Sequence, residues 1–252
     1  MIRFVGAGCG AADLITVRGQ RLLQEADVVV YAGSLVNPAL LAYVKEGAKI
    51  YNSAEMTLEE VLEVLIDAEK RGEKTVRLHT GDPCLYGAIR EQMDALDEKG
   101  IAYDYTPGVS SFCGAAAALN MEYTLPGVSQ SVVITRMAGR TPVPERESVR
   151  AFAQHRATMV LFLSTGLLER TQEELIAGGY APDTPAAIVY KASWPDEKTV
   201  LCTVGTLAEA AAEHGVRKTA LIIVGDAVSQ SGYARSQLYH PAFSTEFRPA
   251  KE

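Results

Sequence analysis

The sequence predicts an α/β fold, with a mostly parallel sheet in the first half and a mixed sheet in the second. Three observations predict it. Ile2 to Val5 is a short apolar run that empties into Gly6-Ala7-Gly8, is followed by a helix capped at Thr16 and by a second strand from Asp27 to Tyr31, and so reads as a βαβ opening. Residues 74–79 carry the β-compatible Thr75, Val76 and Leu78 and stop abruptly at Gly81-Asp82-Pro83 before a helix. Beyond residue 130 the strands are short and closely spaced, which suits a mixed sheet better than a second parallel one.

The elements follow in order. Thr16 opens a helix that reaches Glu25, Pro38 to Lys45 is expected to be helical, and Lys49 to Tyr51 to be a short strand. Thr57 and Glu60 form a capping box ahead of Leu58, Val61, Leu62 and Leu65, an apolar stripe that ends at Gly72 and belongs to the core. After the strand at 75–79 come a helix from about Tyr86 to Glu98, a stop at Gly100, a strand from Ala102 to Tyr105, and a Pro107-Gly108-Val109 turn into a helix from Phe112 to Leu119. Pro126 and Gly127 break the pattern and divide the chain into residues 1–122, 123–229 and a tail, 230–252. In the second part strands are expected at Ser131–Arg136, Val160–Leu163, Ala187–Lys191, Thr199–Val204 and Ala220–Val224. A helix is expected at Glu145–His155, and helix starts at the Thr171/Glu174 and Thr206/Glu209 pairs. The tail, with Tyr233, Tyr239, Phe243 and Phe247, either wraps the body or frays.

Length and composition narrow the function. The 252 residues suffice for one large or two modest α/β domains. No apolar run approaches the roughly 18 residues of a membrane span. The chain starts directly on its first strand without a leader, so a soluble cytoplasmic protein is expected. A net charge of −7 argues against nucleic acid, although Arg136, Arg140 and Arg146 cluster locally. The four cysteines form no C-x-x-C pair, so neither a disulfide framework nor a metal site is expected; Cys113 and Cys202 read as packing residues, while Cys9 and Cys84 sit in the glycine loops.

In an open α/β sheet, ligands sit beyond the carboxyl ends of the strands, which makes the Gly81-Asp82-Pro83 loop the leading ligand site, with Asp82 a ready acceptor. The alternative is that these residues merely make a turn; likewise Ser110 and Ser111 suit either a helix cap or a ligand. Gly6, Gly8 and Ala11 satisfy the G-x-G-x-x-G/A dinucleotide pattern, but the second strand ends in Tyr31-Ala32-Gly33-Ser34 where a ribose-binding acid is required, and Asp27 lies at its other end. A nicotinamide oxidoreductase is therefore the disfavoured rival.

Four motifs in order give the chain a resemblance to the tetrapyrrole methylase family: Gly6-Ala7-Gly8 with Asp13 to Gly19, Gly81-Asp82-Pro83 with Tyr86-Gly87, Pro107 to Ser111, and Ala220 to Gly225. Within the family it is most similar to the branch that methylates C11 of precorrin-4 or cobalt-precorrin-4. The residues that carry this are Tyr31 to Val36, Leu125-Pro126-Gly127 with Gln130-Ser131, Thr135-Arg136 with Gly139 to Pro144, Lys191 to Asp196, and Tyr233 to Arg248. The resemblance implies two α/β domains with the active-site cleft between them, a homodimer, S-adenosylmethionine as methyl donor with S-adenosylhomocysteine as product, and a tetrapyrrole substrate. It implies cofactor contacts at Cys9, Thr80, Gly81, Asp82, Leu85, Ser110, Ser111, Ser164, Ala192, Thr219 and Ala220. A sibling enzyme of different regiospecificity and a non-catalytic cofactor sensor remain as alternatives.

Two departures stand out. The usual Gly-Pro-Gly-Asp-Pro-Asp opening is here Gly8-Cys9-Gly10-Ala11-Ala12-Asp13, and many relatives carry an acid where this chain has Gly33, so no catalytic base is assigned. For a substrate rimmed with carboxylates, Arg136 and Arg140 are the expected contacts, with Lys191 behind them. His79 reads either as a proton relay or as a structural histidine. A Gly81→Val substitution is expected to abolish cofactor binding and leave the fold largely intact.

Overall fold

A computed structural model of the chain describes residues 1–250. These divide into two units, Met1–Ala115 with Lys191–Glu197, and Ala116–Tyr190 with Lys198–Glu252, of which the last two residues lie outside the described ones.

The first unit is built on β1 (Ile2–Gly6), α1 (Val17–Glu25), β2 (Val28–Tyr31), β3 (Lys49–Asn52), α2 (Leu58–Lys70), β4 (Thr75–His79), α3 (Arg90–Asp97), β5 (Tyr103–Thr106) and α4 (Ser111–Ala118). Its five strands run in the order β3-β2-β4-β1-β5, and every pairing is parallel. A parallel sheet needs both faces covered, and alternate side chains supply two cores. Val5, Val29, Val76 and Leu78 pack on one face with Leu23 of α1 and Leu40, and Phe4, Val28 and Val30 on the other with Val61 and Leu65 of α2 and Leu96 of α3. Thr16 caps α1 by accepting from the Gly19 amide, and the Thr57/Glu60 box closes in both directions.

The second unit carries β6 (Val132–Arg136), α5 (Val149–Ala153), β7 (Thr158–Phe162), α6 (Leu168–Gly178), β8 (Pro185–Tyr190), β9 (Lys198–Thr203), α7 (Leu207–Glu213) and β10 (Ala220–Val224). Its sheet has the order β6-β7-β10-β8-β9, with β6 and β7 parallel and the other pairs antiparallel, which is the mixed sheet expected. One core of Leu161, Ile188, Ile222, Leu175 and Leu207 lies between it and the helices. Among the described residues no helix is long and apolar enough to cross a membrane.

Several local expectations are corrected. Pro38–Tyr43 is a 3-10 turn, capped by Asn37 and left in extended conformation at Val44. The helix expected from Tyr86 starts only at Arg90, because Tyr86 and Ala88 adopt left-handed φ values of 55° and 48° that no α-helix accommodates. Ser148, extended and bonded to the Ala151 amide, splits the 145–155 helix into a 3-10 turn and α5. Thr171 lies inside α6 and donates to the Leu167 carbonyl, while Thr206 exchanges bonds with Thr203 rather than with Glu209. Cys113, expected inside, is exposed. The tail is joined to the second unit where the Ala234 amide meets the Pro126 carbonyl, and then folds on itself around Arg248, whose guanidinium reaches the carbonyls of Leu238, His240 and Phe243.

Candidate functional site

Because β4, β1 and β5 are adjacent and parallel, the loops that leave them emerge from one edge of the sheet, and they interlock there through backbone. Gly8 and Gly81 exchange amide–carbonyl bonds of 3.2 and 2.9 Å. A Cβ on Gly6 would lie 2.5 Å from the Gly108 nitrogen and 2.7 Å from the Gly81 carbonyl, so Gly6 is required where three loops touch. Gly81 sits at φ +60° with Ser110 and Ser111 against it. Cys9, Thr80, Gly81, Asp82, Leu85, Ser110 and Ser111 therefore lie together at one end of one sheet.

Ala192 joins them. The segment 191–197 packs on the glycine loop: the Ser193 hydroxyl accepts from the Ala11 amide at 2.9 Å and lies 3.3 Å from the Cys9 sulfur, and a Cβ on Gly10 would lie 2.6 Å from the Ala192 carbonyl. Cys9 is thus buried between Ser193 and Gly114, which gives the departure at this position a packing role. Lys191 and Ser193 are both left-handed, at φ 47° and 65°.

Asp82 differs from the expectation of a free acceptor. Its Oδ1 accepts from the Cys84 amide at 2.9 Å and from the Tyr105 hydroxyl, and its Oδ2 from the Gly108 amide at 3.1 Å. The carboxylate ties three chain segments together, and the polar group of this loop left without a hydrogen-bond partner is instead the buried Thr80 hydroxyl. Such an orphaned atom is what a bound polar ligand satisfies. The left-handed φ of Gly81 and the pairing of both its backbone groups also correct the expected Gly81→Val outcome: a β-branched residue there strains the fold itself, not binding alone.

His79 is 4% exposed and stacks on Phe4, with 6.1 Å between ring centroids. Burial, together with the positive charge of Arg77, pushes it down to about 3, so the ring is neutral and its buried Nε2 lacks a partner. The structure gives His79 a packing role rather than a relay. At Gly33 a side chain would collide with Asn52, whose amide caps the turn at Ala54. Among the described residues no cluster of three or more His, Cys, Asp or Glu forms a metal site.

In the second unit Ser164 is fully buried; its hydroxyl accepts from the Met137 amide and donates to the Phe162 carbonyl. Thr219 is left-handed at φ 56°, and the Ala220 carbonyl accepts from Thr165. Arg136 spends its guanidinium on the carbonyls of Met137, Thr141 and Pro142 and so shapes the loop that carries the exposed Arg140. In the first unit, Lys191 pairs with Asp196 at 2.6 Å and lies over the Trp194 ring.

Sequence reasoning placed Gly108 and Ser193 in motifs and Tyr105 at a strand end but did not see that these residues hold the loops from a distance in the chain. It also passed over Arg77, although a charge between Val76 and Leu78 at the centre of a strand is a legible signal.

The dinucleotide reading fails on geometry. Ala11 leads into a 3-10 turn, the helix begins only at Val17, and Asp27 sits at the opposite end of the sheet on Lys45 and the Lys74 amide. The helix that follows the glycine loop, α1, thus does not start from it as a pyrophosphate-binding helix does.

The comparisons with known proteins agree with one another. The chain is 52% identical over 244 residues to the cobalt-precorrin-4 C(11)-methyltransferase of Methanocaldococcus jannaschii, covering 97% of this chain and 94% of that protein. It is 46% identical over 242 residues to the precorrin-4 C(11)-methyltransferase of Mycobacterium tuberculosis, covering 96% of each. Among solved structures, a cobalt precorrin-4 methyltransferase described as a cobalamin biosynthetic enzyme superimposes with a TM-score of 0.88 at 48% identity, over 90% of this chain and 95% of that one. A uroporphyrin-III C-methyltransferase of Thermus thermophilus, solved with S-adenosylhomocysteine, gives 0.74 at 29% identity over 90% and 92%. The family model for Tetrapyrrole (Corrin/Porphyrin) Methylases matches residues 1–208, and with that match the chain belongs to the tetrapyrrole methylases.

Proposed function

We propose that this chain transfers a methyl group from S-adenosylmethionine to C11 of precorrin-4 or its cobalt form, as a step in corrin-ring synthesis. The observation that carries the reading is near-full-length similarity to two proteins named for that reaction. When bound, S-adenosylmethionine supplies a sulfonium methyl open to displacement by an electron-rich ring carbon. What the protein contributes is alignment and exclusion of water, which such a displacement needs more than a strong acid.

The residues present fit that donor. Thr80 offers a buried, unsatisfied hydroxyl, and Gly81 a backbone without a side chain beside Ser110 and Ser111. Cys9, Leu85 and Ala192 bound the same loop cluster, and Asp82 acts by fixing it. Ser164, Thr219 and Ala220 are candidates from the resemblance that would act through their backbone, since their side chains are small or already engaged. For the carboxylates of the substrate, Arg140 is the open guanidinium, Arg136 positions its loop, and Lys191 is held by Asp196. A homodimer working in the cytoplasm is part of the proposal; sedimentation equilibrium tests the dimer.

The chemical test is incubation with labelled methyl donor and precorrin-4, with and without cobalt in the ring, followed by NMR location of the label. Label at C11 is expected. Label at another carbon overturns the regiospecificity, and its absence from the ring overturns the reaction. Calorimetry with S-adenosylhomocysteine and with NAD is expected to show binding of the first alone.

A further inference from the structure

Arg77 lies at the centre of β4 and is 6% exposed, an unusual place for a guanidinium. Among the described residues its bonds run to no carboxylate. Nε donates to Gln92 Oε1 at 3.0 Å, and one terminal nitrogen donates to the Val30 carbonyl of β2 at 3.2 Å. Burial alone pushes it down to about 10. A buried cation held only by neutral acceptors is a poor stabiliser of a core, so its effect is to be sought at the end of its hydrogen-bond chain.

That chain ends on the loop after β4. Gln92, in the first turn of α3 and 4% exposed, turns its amide nitrogen to the Ala88 carbonyl at 2.9 Å. Ala88 and Tyr86 are the two left-handed non-glycine residues of this loop, a conformation that alanine and tyrosine leave unless the surroundings hold them. The loop is therefore pinned at both ends: by Asp82 with Tyr105 and Gly108 at its start, and by Arg77 through Gln92 at its finish.

We propose that Arg77 and Gln92 are positioning residues for the methyl donor, a buried polar strut that holds Tyr86 and Ala88 in the left-handed conformation and so keeps Thr80 to Leu85 set for binding. The inference rests on the donor site described above and deepens it.

Gln92→Glu separates positioning from core stability. A carboxylate keeps and strengthens the bond from Arg77, but it has no hydrogen to give the Ala88 carbonyl. The thermal midpoint is therefore expected to hold or rise. Affinity for S-adenosylhomocysteine, measured by calorimetry near pH 7.5, is expected to fall on the order of tenfold, as for a site whose competent state is populated only in part. In the ligand-free protein the Leu85 and Met93 amides, bonded to the Asp82 and Ile89 carbonyls, are expected to exchange faster with deuterium. The paired change Arg77→Met with Gln92→Met removes the strut without leaving a polar group unpaired in it, and the same loosening is expected. Exchange and affinity equal to wild type in Gln92→Glu overturn the strut. Failure of the wild-type protein to bind S-adenosylhomocysteine overturns instead the donor site on which it rests, and the exchange rates still decide whether the loop is pinned.

Discussion

The two ends of the parallel sheet in the first unit are built on opposite principles. At the amino end, the chain turns left-handed at Gly47, Gly72 and Gly100, each just before a strand and each with nothing within 4 Å of where a Cβ would stand. Ion pairs decorate this end: Lys74 with Glu25 at 3.0 Å, Asp27 with Lys45 at 2.5 Å, and Glu73 with both Lys49 and Arg71. At the carboxyl end, Tyr86, Ala88, Lys191 and Ser193 take the left-handed conformation, against about 1–2 kcal/mol each, and carboxylates there fasten loops to backbone, Asp82 to the Cys84 and Gly108 amides and Glu197 to the Ser193 amide, with Lys191–Asp196 an ion pair beside them. Turns are made where they are easy at one end and where they are costly at the other. Costly backbone persists only where neighbours over-determine it, which supports the carboxyl end as the proposed donor site.

The change expected to break this contrast most severely is Asp82→Ala. It removes the acceptor for the Cys84 and Gly108 amides and the Tyr105 hydroxyl at once, and hydrogen bonds to charged groups contribute about 1.5–3 kcal/mol apiece. A loss of about 3 kcal/mol in unfolding free energy is expected, with affinity for S-adenosylhomocysteine down on the order of a hundredfold. Denaturant titration and calorimetry read the two. A destabilised variant that binds normally would remove the loop from the donor site. Asp82→Asn, which keeps one acceptor oxygen, is expected to fall between.

Much of this end was legible in the chain, for a physical reason. Gly6, Gly8, Gly81 and Pro83 restrict the backbone by their own chemistry, so their meaning survives without neighbours. The β4 loop and the strands around it follow from such residues. What was not legible depends on partners far along the chain. Asp82 looked like a ligand acceptor because Tyr105 and Gly108, 23 and 26 residues away, are seen to occupy it only once β5 lies two strands from β4. Ser193 reaches the Ala11 amide across 182 residues. Tyr86 and Ala88 read as helix because alanine and the residues after it favour helix, and only the Gln92 contact with Ala88 and the turn over Pro83 reveal why they are not. Arg136 was expected to face substrate, and the structure shows it bonded to its own loop.

A matched pair sharpens the comparison. Gly81→Ala and Gly72→Ala place the same methyl group at φ +60° and +70°; the nearest atom to the first would be the Ser111 nitrogen at 3.5 Å, and the second would meet nothing. Both changes therefore cost only backbone strain, about 1–2 kcal/mol each, and similar falls in thermal midpoint are expected. Binding should separate them. Gly81→Ala is expected to weaken S-adenosylhomocysteine several-fold, since the methyl intrudes beside Ser110 and Ser111, while Gly72→Ala is expected to bind as wild type. Equal affinities would mean that the left-handed glycine after β4 serves the turn alone.

The smallest effect belongs to the charges of the amino end. The hydrogen bond from Lys45, then that from the Lys74 amide, holds Asp27 below the usual carboxylate range, and Lys74 does the same for Glu25. A carboxylate whose pKa is lowered by folding adds stability that is present above its unfolded pKa, about 3.9 for aspartate, and that is lost as pH falls through the lower folded value. The wild-type midpoint is thus expected to drop on acidification below about pH 4, and Asp27→Asn to drop less over the same window. Because these side chains are open to solvent, the difference should shrink in about 0.5 M salt, where the screening length falls below the reach of all but direct contacts. Affinity for S-adenosylhomocysteine at neutral pH should not move in this variant, since Asp27 stands at the far end of β2 from the loops. If it does move, the two ends of the sheet are coupled, and the carboxyl-end loops owe part of their geometry to the charges beneath them.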